Sequence, residues 1–316
     1  MQTSNTPESQ TAASVLMLRP AAFGANPLTA DSNRFQARDG SGVDAAVRAS
    51  VAREFEALSA ALQRAGIGVY VVDDTSDPPK PDAIFPNNWV SFHADGTVVL
   101  YPMLASNRRT ERRADVLEAL GRTHGFRISR TVDLSAHERD GVYLEGTGSL
   151  VLDRVNRNAF ACLSPRTHLE ALGDFAQQLD YEIVSFEACD ATGTPIYHTN
   201  VVMCLGTRFA VLCAESISDA AGRAAVMQIL AATGHDVIEI SQAQMAAFAG
   251  NMLELRGAAG GSVIVMSAAA EGSLSAHQRS RLASYGTLVS VPIPTIERYS
   301  GGSVRCMLAE IHLPKR

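Results

Sequence analysis

Three residues in separate polar motifs have the types needed for covalent attack on a carbon bonded to nitrogen. Cys306 follows a Ser-Gly-Gly sequence at residues 300–302, His198 precedes an apolar run, and Glu145 is followed by Gly-Thr-Gly. A cysteine thiolate is a usable nucleophile near neutral pH once its environment favours ionisation. An imidazole can pass a proton to a leaving amine and then activate water. The three residue types therefore predict cysteine-dependent catalysis.

Each of these residues also has an ordinary structural explanation. A single cysteine is more often a buried structural residue, and a single histidine is commonly a satisfied core or surface residue. Paired glycines, however, let the backbone take positive φ and approach a ligand closely, which favours a functional role for Cys306. Glu145 lies inside an apolar, glycine-flanked run, where a carboxylate costs free energy unless it is paired.

A fourth polar motif, at residues 81–89, contains Asp82, Asn87 and Asn88 and ends at the single tryptophan of the chain. These polar side chains stand among apolar residues, which makes them candidates for binding a substrate. The alternative is a simple turn, because Asn-Asn after proline is good turn chemistry.

Composition narrows the class of protein. The chain has 316 residues, 46% hydrophobic and 19% charged, with a net charge of −6, which indicates a globular protein. There is no basic stripe for nucleic acid and no apolar run long enough to span a bilayer. Residues 1–14 are expected to form a disordered tail without the features of a secretory signal, and residues 15–316 a single catalytic domain.

The cysteines indicate a reducing environment. Five are present, none with CxxC spacing, and Cys162, Cys204 and Cys213 lie in apolar runs where we expect them to be buried. Neither a disulfide framework nor a zinc site is indicated, so we expect a cytoplasmic location without a metal.

Strand-like and helix-like segments alternate along the whole chain, which predicts a mixed α/β fold. Apolar residues recur with helical spacing in five segments, at residues 43–65, 107–123, 166–179, 218–232 and 274–284. Short polar links between apolar runs predict antiparallel hairpins at residues 149–162 and 201–213. The alternation indicates about five units, each with two or three strands and one helix. We expect these units to be repeated about a central axis. Neither a GxGxxG nor a Walker motif supports nucleotide binding.

Four motifs, taken together and in order, resemble the guanidine-modifying superfamily of arginine deiminases, dimethylarginine hydrolases, amidinotransferases and succinylarginine dihydrolase. They are Phe-Pro-Asn-Asn at 85–88, Glu-Gly at 145–146, His-x-Asn at 198–200 and Ser-Gly-Gly-x-x-x-Cys at 300–306. The resemblance covers about residues 16–313 and is greatest to the citrulline-utilisation hydrolase branch. It implies a five-bladed α/β-propeller of ββαβ-type units around a pseudo-fivefold axis, with the site in the central channel and no metal or organic cofactor.

The resemblance also implies roles for single residues. Cys306 corresponds to the nucleophile, His198 to the general acid and base, and Glu145 to the residue that binds substrate nitrogens and orients the histidine. Arginine deiminases carry aspartate at the positions that match Asn88 and Asn200. A neutral asparagine suits an uncharged ureido group better than a carboxylate does. The favoured reaction is therefore hydrolysis of L-citrulline to ornithine, carbon dioxide and ammonia.

An amino-acid substrate needs further binding groups. Asn87, Asp82 and Gly302 belong to the same motifs and are candidates. The substrate carboxylate calls for an arginine, and the Arg108–Arg113 segment supplies several. Arg109 is the preferred candidate, although a solvated helix start is the alternative for it.

Other functions remain open at this stage. An arginine deiminase, a dihydrolase or an amidinotransferase would act on a guanidino group instead. A catalytically idle small-molecule binder of the same fold is a third possibility. A papain-like protease is disfavoured, because Cys306 follows His198 in the chain and lacks that family's cysteine motif. The expected partner is a small amino acid, without nucleic acid or membrane, and a homo-oligomer is left open.

Overall fold

The structure is a computed structural model that describes residues 8–30, 32–36 and 43–316. The described strands form five three-stranded sheets. In chain order they are β1 (Ser14–Arg19), β2 (Gly68–Asp73), β3 (Val90–Phe92), β4 (Thr97–Leu100), β5 (Arg130–Asp133), β6 (Leu150–Asp153), β7 (Asn158–Cys162), β8 (Glu182–Phe186), β9 (Met203–Leu205), β10 (Phe209–Leu212), β11 (Asp236–Glu239), β12 (Leu253–Arg256), β13 (Ser262–Ser267), β14 (Thr287–Val291) and β15 (Ala309–Glu310).

Helices connect and flank these strands. They are α1 (Ala45–Arg64), α2 (Ala114–Arg122), α3 (Gly146–Ser149), α4 (Leu169–Leu179), α5 (Thr199–Val202), α6 (Ala220–Ala232), α7 (Gln242–Ala246), α8 (Ala268–Ser273), α9 (Ala276–Ala283) and α10 (Pro294–Ser300). Short 3-10 turns lie at Pro86–Asn88, Ser106–Glu111 and Val304–Met307, among other places. Within the described ranges, no helix is long and apolar enough to cross a membrane.

All five sheets share one pattern of strand pairing. The first strand is antiparallel to the second, and the second is parallel to the third, as in β3-β4-β5 and β6-β7-β8. The other three sheets, β9-β10-β11, β12-β13-β14 and β15-β1-β2, repeat this pattern. In the last of them β15 is therefore the first strand, although it comes last in the chain. Each parallel pair requires a crossover, and helices supply it. The predicted mixed α/β class and both predicted hairpins are therefore confirmed.

The two ends of the chain meet in one sheet. Strand β15 pairs with β1, with Glu310 opposite Val15 and Ala309 opposite Leu16. First strands of different sheets also touch one another: β15 contacts β3, and β9 contacts both β6 and β12. These first strands therefore pack against first strands of other sheets. Closure of the five units around a pseudo-fivefold axis stays a prediction.

Helix α1 shows why the helical periodicity was informative. Its buried residues Val51, Phe55, Leu58 and Leu62 form one face, and the Asp44 side chain caps its first turn by accepting from the Val47 N–H. These contacts satisfy an end of the helix and bury its apolar stripe. The helix predicted over residues 43–65 is thus observed as α1.

The helix predicted over residues 107–123 is wrong in its first half. A 3-10 turn at Ser106–Glu111 is followed by α2, which begins only at Ala114. Arg112 and Arg113 between them have extended backbone. The Arg112 side chain pairs with Glu138, a long-range contact that local periodicity does not reveal.

The N-terminal segment also differs from the prediction of a disordered tail over residues 1–14. Ser14 begins β1, and the buried Gln10 donates to the carbonyl of Leu152 at 2.9 Å. The Glu8 carboxylate lies 2.7 Å from Arg154 and 2.9 Å from Arg157. These residues are ordered by polar contacts with the body of the protein. Residues 1–7 lie outside the described ranges.

Replacing Glu8 by Ala should lower the free energy of unfolding by about 3–5 kcal/mol, because the guanidinium of Arg154 would stay buried without its partner. The matched control is Glu56→Ala. Glu56 pairs with Arg19 at 2.9 Å on the surface, with 55% of its side chain exposed, so its loss should cost about 1 kcal/mol or less. Urea unfolding of both variants measures the difference. An equally small loss of unfolding free energy in Glu8→Ala and Glu56→Ala would show that Glu8 does not anchor the N-terminal segment.

Candidate active site

Each of the five sheets has a polar residue in the turn or short helical segment that leads into its first strand. Asn88 ends the turn that precedes β3, Glu145 caps α3 before β6, and His198 caps α5 before β9. Asn251 precedes β12, and Cys306 lies in the turn before β15. The segment before the first strand thus delivers one candidate side chain from each sheet. Cys306 does not begin the strand that follows it, because that strand starts only at Ala309.

Two amide groups face the sulfur of Cys306. Its Sγ lies 3.3 Å from Nδ2 of Asn251 and 3.6 Å from Nδ2 of Asn200. Asn251 is held in place because it also donates to the Asn200 carbonyl at 2.9 Å and accepts from the Arg305 N–H at 3.1 Å. N–H groups so placed can donate to a thiolate sulfur.

Sequence reasoning missed Asn251. It follows Gly250, where an added Cβ would lie 2.2 Å from the Val201 carbonyl oxygen, so the backbone packs too closely there for a side chain. The pair precedes β12, in the segment where the other units carry their polar residue. Aligning the five units would have revealed it.

His198 and Glu145 form a buried pair. Nε2 of His198 lies 2.9 Å from Oε2 of Glu145, which also lies 3.3 Å from Arg166 and 3.7 Å from Arg108. Burial would raise the pKa of Glu145, but Arg166, the His198 hydrogen bond and Arg108 outweigh it and hold that pKa well below its usual value. The carboxylate is therefore ionised, and His198 donates its Nε2–H to it.

His198 is neutral near pH 7. Burial lowers its pKa to about 4, although the hydrogen bond and charge of Glu145 act in the opposite direction. Because Nε2 carries the hydrogen that is donated to Glu145, Nδ1 is the unprotonated, basic nitrogen of the ring. A neutral imidazole with an oriented Nδ1 can accept a proton from a thiol or a water.

Close packing explains the glycines after Glu145. Gly146 has φ of 49°, and an added Cβ would lie 2.2 Å from the Asn87 carbonyl oxygen. A Cβ on Gly148 would lie 2.4 Å from Nδ2 of Asn88 and 2.8 Å from the His198 ring. These two positions need glycine because the neighbouring turns approach without space for a side chain.

One pocket collects most of the predicted residues. It is lined by Asn33, Asp82, Phe85, Asn88, Arg108, Arg166, Tyr197, His198, Ser300, Gly302 and Cys306. Asn200 adjoins it through Cys306. Asp82 accepts from Nδ2 of Asn26 at 2.7 Å, and Gly302 leaves room for the Phe85 ring, which an added Cβ would meet at 2.6 Å.

Asn88 has a defined orientation in this pocket. Nη1 of Arg108 donates to Oδ1 of Asn88 at 3.0 Å. A guanidinium can only donate, so the amide oxygen must face Arg108 and the amide NH₂ must face away from it. Across the described part of the chain, Nδ2 of Asn88 finds no hydrogen-bond partner.

Two predicted binding residues lie elsewhere. Asn87 is buried, and among the described residues its side-chain amide has neither a partner nor a place in the pocket lining. Arg109 donates to the Met103 carbonyl at 3.1 Å and pairs with Glu138 at 3.4 Å. The structure therefore does not bring Arg109 to Cys306. Its backbone position on the 3-10 turn points it away, and Arg108 and Arg166 line the pocket instead.

Metal binding has no evident location in the described ranges, where no group of three or more His, Cys, Asp and Glu residues is placed to hold an ion. The five cysteines are free, and Cys162, Cys204 and Cys213 are buried as predicted. A reaction without metal or cofactor stays a prediction.

A family model described as "N,N dimethylarginine dimethylhydrolase, eukaryotic" matches residues 19–313. The chain therefore belongs to this family, within the pentein amidinotransferase-like superfamily, as its motifs had predicted. Members of the matched family are cysteine-dependent hydrolases of guanidino C–N bonds. Among curated protein sequences, none matches this chain significantly.

Solved structures share the fold. ArgZ, an arginine dihydrolase from cyanobacteria, superimposes with a TM-score of 0.73 at 18% identity, covering 96% of this chain and 41% of ArgZ. The chain thus spans less than half of that relative. The substrate-bound N-terminal domain of ArgZ gives 0.71 at 19% identity, covering 95% of this chain and 99% of the domain. A dimethylarginine dimethylaminohydrolase adduct with S-methyl-L-thiocitrulline gives 0.65 at 15%, covering 95% and 100%.

The depressed pKa of His198 predicts a loss of stability in acid. Between pH 6.5, near the pKa of an unfolded histidine, and about 4, the unfolded state binds more protons, so the free energy of unfolding falls as pH falls. From pH 7.5 to 5, His198→Gln should lose about 1–2 kcal/mol less than the wild type. Urea unfolding at both pH values measures this.

His277→Gln is the matched control for this experiment, because His277 is exposed on α9. It should follow the wild type at both pH values. A His198→Gln curve parallel to the wild type would contradict a neutral, buried His198.

Proposed function

We propose that this protein hydrolyses the ureido group of L-citrulline to ornithine, carbon dioxide and ammonia, with Cys306 as the nucleophile. The observation that carries the proposal is the orientation of Asn88. Its amide oxygen is occupied by Arg108, its NH₂ has no partner among the described residues, and Asn88 lines the pocket that also contains Cys306. An N–H donor needs an acceptor on the substrate.

The two candidate functional groups differ in this respect. A ureido group has a carbonyl oxygen, which can accept from Nδ2 of Asn88. A guanidinium has only N–H donors and would leave this buried amide without a partner, which costs about 1–3 kcal/mol. The hydrogen-bonding capacity of the pocket therefore favours a ureido substrate.

The proposed reaction follows from these positions. His198 Nδ1 takes the thiol proton of Cys306, and the sulfur attacks the ureido carbon. Collapse of the tetrahedral adduct breaks a C–N bond, and His198 returns the proton to the departing amine. The thiocarbamate left on the sulfur is then hydrolysed by a water that His198 deprotonates. The resulting carbamic acid decomposes, so one water and one citrulline yield ornithine, carbon dioxide and ammonia.

The α-amino acid end of the substrate also finds matching groups. Arg166 lies over the Tyr197 ring, 4.6 Å from its centroid, and lines the pocket, where its guanidinium can bind a carboxylate. Asn33 donates to the Ser300 carbonyl at 2.7 Å. Its Oδ1 is unpartnered within the described ranges and can accept from the α-ammonium group.

We also propose that residues 15–316 form one catalytic domain in which five units close into an α/β-propeller. The identical strand pairing of the five sheets supports this arrangement, as does the β15–β1 pairing of the chain ends. Closure would bring the five polar turns to one centre, which agrees with the contacts of Cys306 with Asn251 and of His198 with Glu145.

The second candidate is a guanidino substrate, handled by a deiminase, a dihydrolase or an amidinotransferase. Asp82 favours it, because a carboxylate in the pocket lining could pair with a guanidinium. The family model and ArgZ, by the descriptions given above, concern dimethylarginine and arginine.

Ammonia and ornithine released from L-citrulline and from L-arginine by the purified protein would decide between these candidates. We expect ornithine from citrulline, and Cys306→Ser should lower turnover at least about 1000-fold because the nucleophile is lost. Citrulline accumulating from arginine would overturn the ureido assignment. Activity retained in Cys306→Ser would overturn the nucleophile, and no product from either substrate would favour an idle binder.

Substitution of Arg166 by Lys should raise KM for citrulline about tenfold or more with a smaller effect on kcat, because lysine keeps the charge but loses the planar fork that fits a carboxylate. The matched control is Arg109→Ala, which should leave KM unchanged, since Arg109 pairs with Glu138 away from the pocket. Steady-state kinetics of both variants test this. A raised KM only in Arg109→Ala would restore Arg109 as the carboxylate-binding residue.

A further inference from the structure

The guanidinium of Arg108 forms an ion pair with a second buried residue, Glu111. Nε and Nη2 of Arg108 each lie 2.9 Å from one carboxylate oxygen of Glu111, which is a bidentate pair. Both side chains are buried. The remaining nitrogen, Nη1, donates to Oδ1 of Asn88. The three residues thus form a chain of contacts that ends at the pocket.

We propose that Glu111 is a positioning residue that sets the choice between ureido and guanidino substrates by locking the amide orientation of Asn88 through Arg108. This inference rests on the proposed function, because it concerns the same pocket. Glu111 does not line that pocket and acts only through its neighbour.

The geometry explains why Arg108 needs this partner. Two other carboxylates lie near its guanidinium, Asp82 at 3.7 Å from Nε and Glu145 at 3.7 Å from Nη1. Without Glu111, Arg108 could turn towards either of them. Asn88 would then lose the donor that fixes its oxygen, and its amide could rotate to present that oxygen to the pocket.

The backbone makes the pair possible. Arg108 and Glu111 are three residues apart in the 3-10 turn Ser106–Glu111, and side chains at that spacing are eclipsed in a 3-10 helix. The departure from the predicted α-helix therefore has a consequence for the site. The turn places the carboxylate beside the guanidinium, where it accepts from Nε and Nη2 and leaves Nη1 to donate to Asn88.

Energetics agree with a geometric role. Burial raises the pKa of Glu111 to about 7, although Arg108 acts in the opposite direction. A buried ion pair is weak evidence of a gain in stability, because desolvation offsets the attraction between the charges. Fixing an orientation is a role that this pair can fill without a net gain in stability.

The test compares kcat/KM for citrulline with kcat/KM for arginine in Glu111→Gln. Both substrates share the same α-carboxylate and α-ammonium groups, so their ratio isolates the ureido or guanidino end. Glutamine can accept only one of the two Arg108 hydrogen bonds. We expect the citrulline-to-arginine ratio to fall about tenfold or more, because Asn88 is no longer held as a donor.

Glu138→Gln is the matched control. Glu138 also pairs bidentately with an arginine next to this turn, since Arg112 donates from Nη1 to its Oε1 at 2.5 Å and from Nη2 to its Oε2 at 3.0 Å, but Arg112 does not contact Asn88. Its ratio should equal that of the wild type. A fall in both variants would show a general loss of structure and would overturn the specific role.

A further variant covers the case in which Glu111→Gln fails to fold. Arg108→Lys keeps a charge beside Glu111 but cannot bind it bidentately and also reach Asn88, so the same fall in the ratio is expected. In the Asn88→Ala background, Glu111→Gln should leave the ratio unchanged, because the residue that transmits the effect is gone.

The outcomes separate the two proposals. A wild type that hydrolyses citrulline, with an unchanged ratio in Glu111→Gln and Arg108→Lys, overturns the positioning role and leaves the proposed function intact. A wild type that prefers arginine, or that turns over neither substrate, overturns the proposed function and this inference with it. A ratio that falls in both variants but not in Glu138→Gln supports both proposals.

Discussion

The buried carboxylate of Glu145 is the constraint on which the site depends. A charge without access to water is tolerated only when other groups compensate it, and here His198, Arg166 and Arg108 do so from three different segments. Each of these groups is oriented by that requirement. His198 must turn Nε2 towards the carboxylate, which leaves Nδ1 for proton transfer, and both arginines must enter the pocket from the side of Glu145.

The same constraint explains the dense packing around the pocket. The turns that carry Glu145 and Asn88 touch so closely that Gly146 and Gly148 have no space for a Cβ. Close contact excludes water from the carboxylate, which strengthens its interaction with the arginines. The two glycines therefore allow the turns to approach closely and, by doing so, keep water away from the Glu145 carboxylate. Enlarging either residue would separate groups whose charges compensate one another.

Repetition in the fold supplies the converging side chains. Five sheets with the same pairing each place a short turn before the first strand, and the residues in those turns come from distant parts of the chain. Cys306 from the last turn contacts Asn200 and Asn251 from two others. A small chemical site can therefore draw on the whole length of the chain, and the antiparallel pairing of β1 with β15 secures the last turn.

The sequence by itself determined the fold class, the helix α1, the buried cysteines and the residue types of the site, because these follow from apolar periodicity and from short motifs. It did not determine the order of residues 8–14, whose contacts lie more than 140 positions away at Leu152, or the entry of Arg108 rather than Arg109 into the pocket. Only the tertiary structure decided those points and the direction of the Asn88 amide. Side-chain direction depends on the local 3-10 backbone and on which distant charge is near, and neither is written in local spacing.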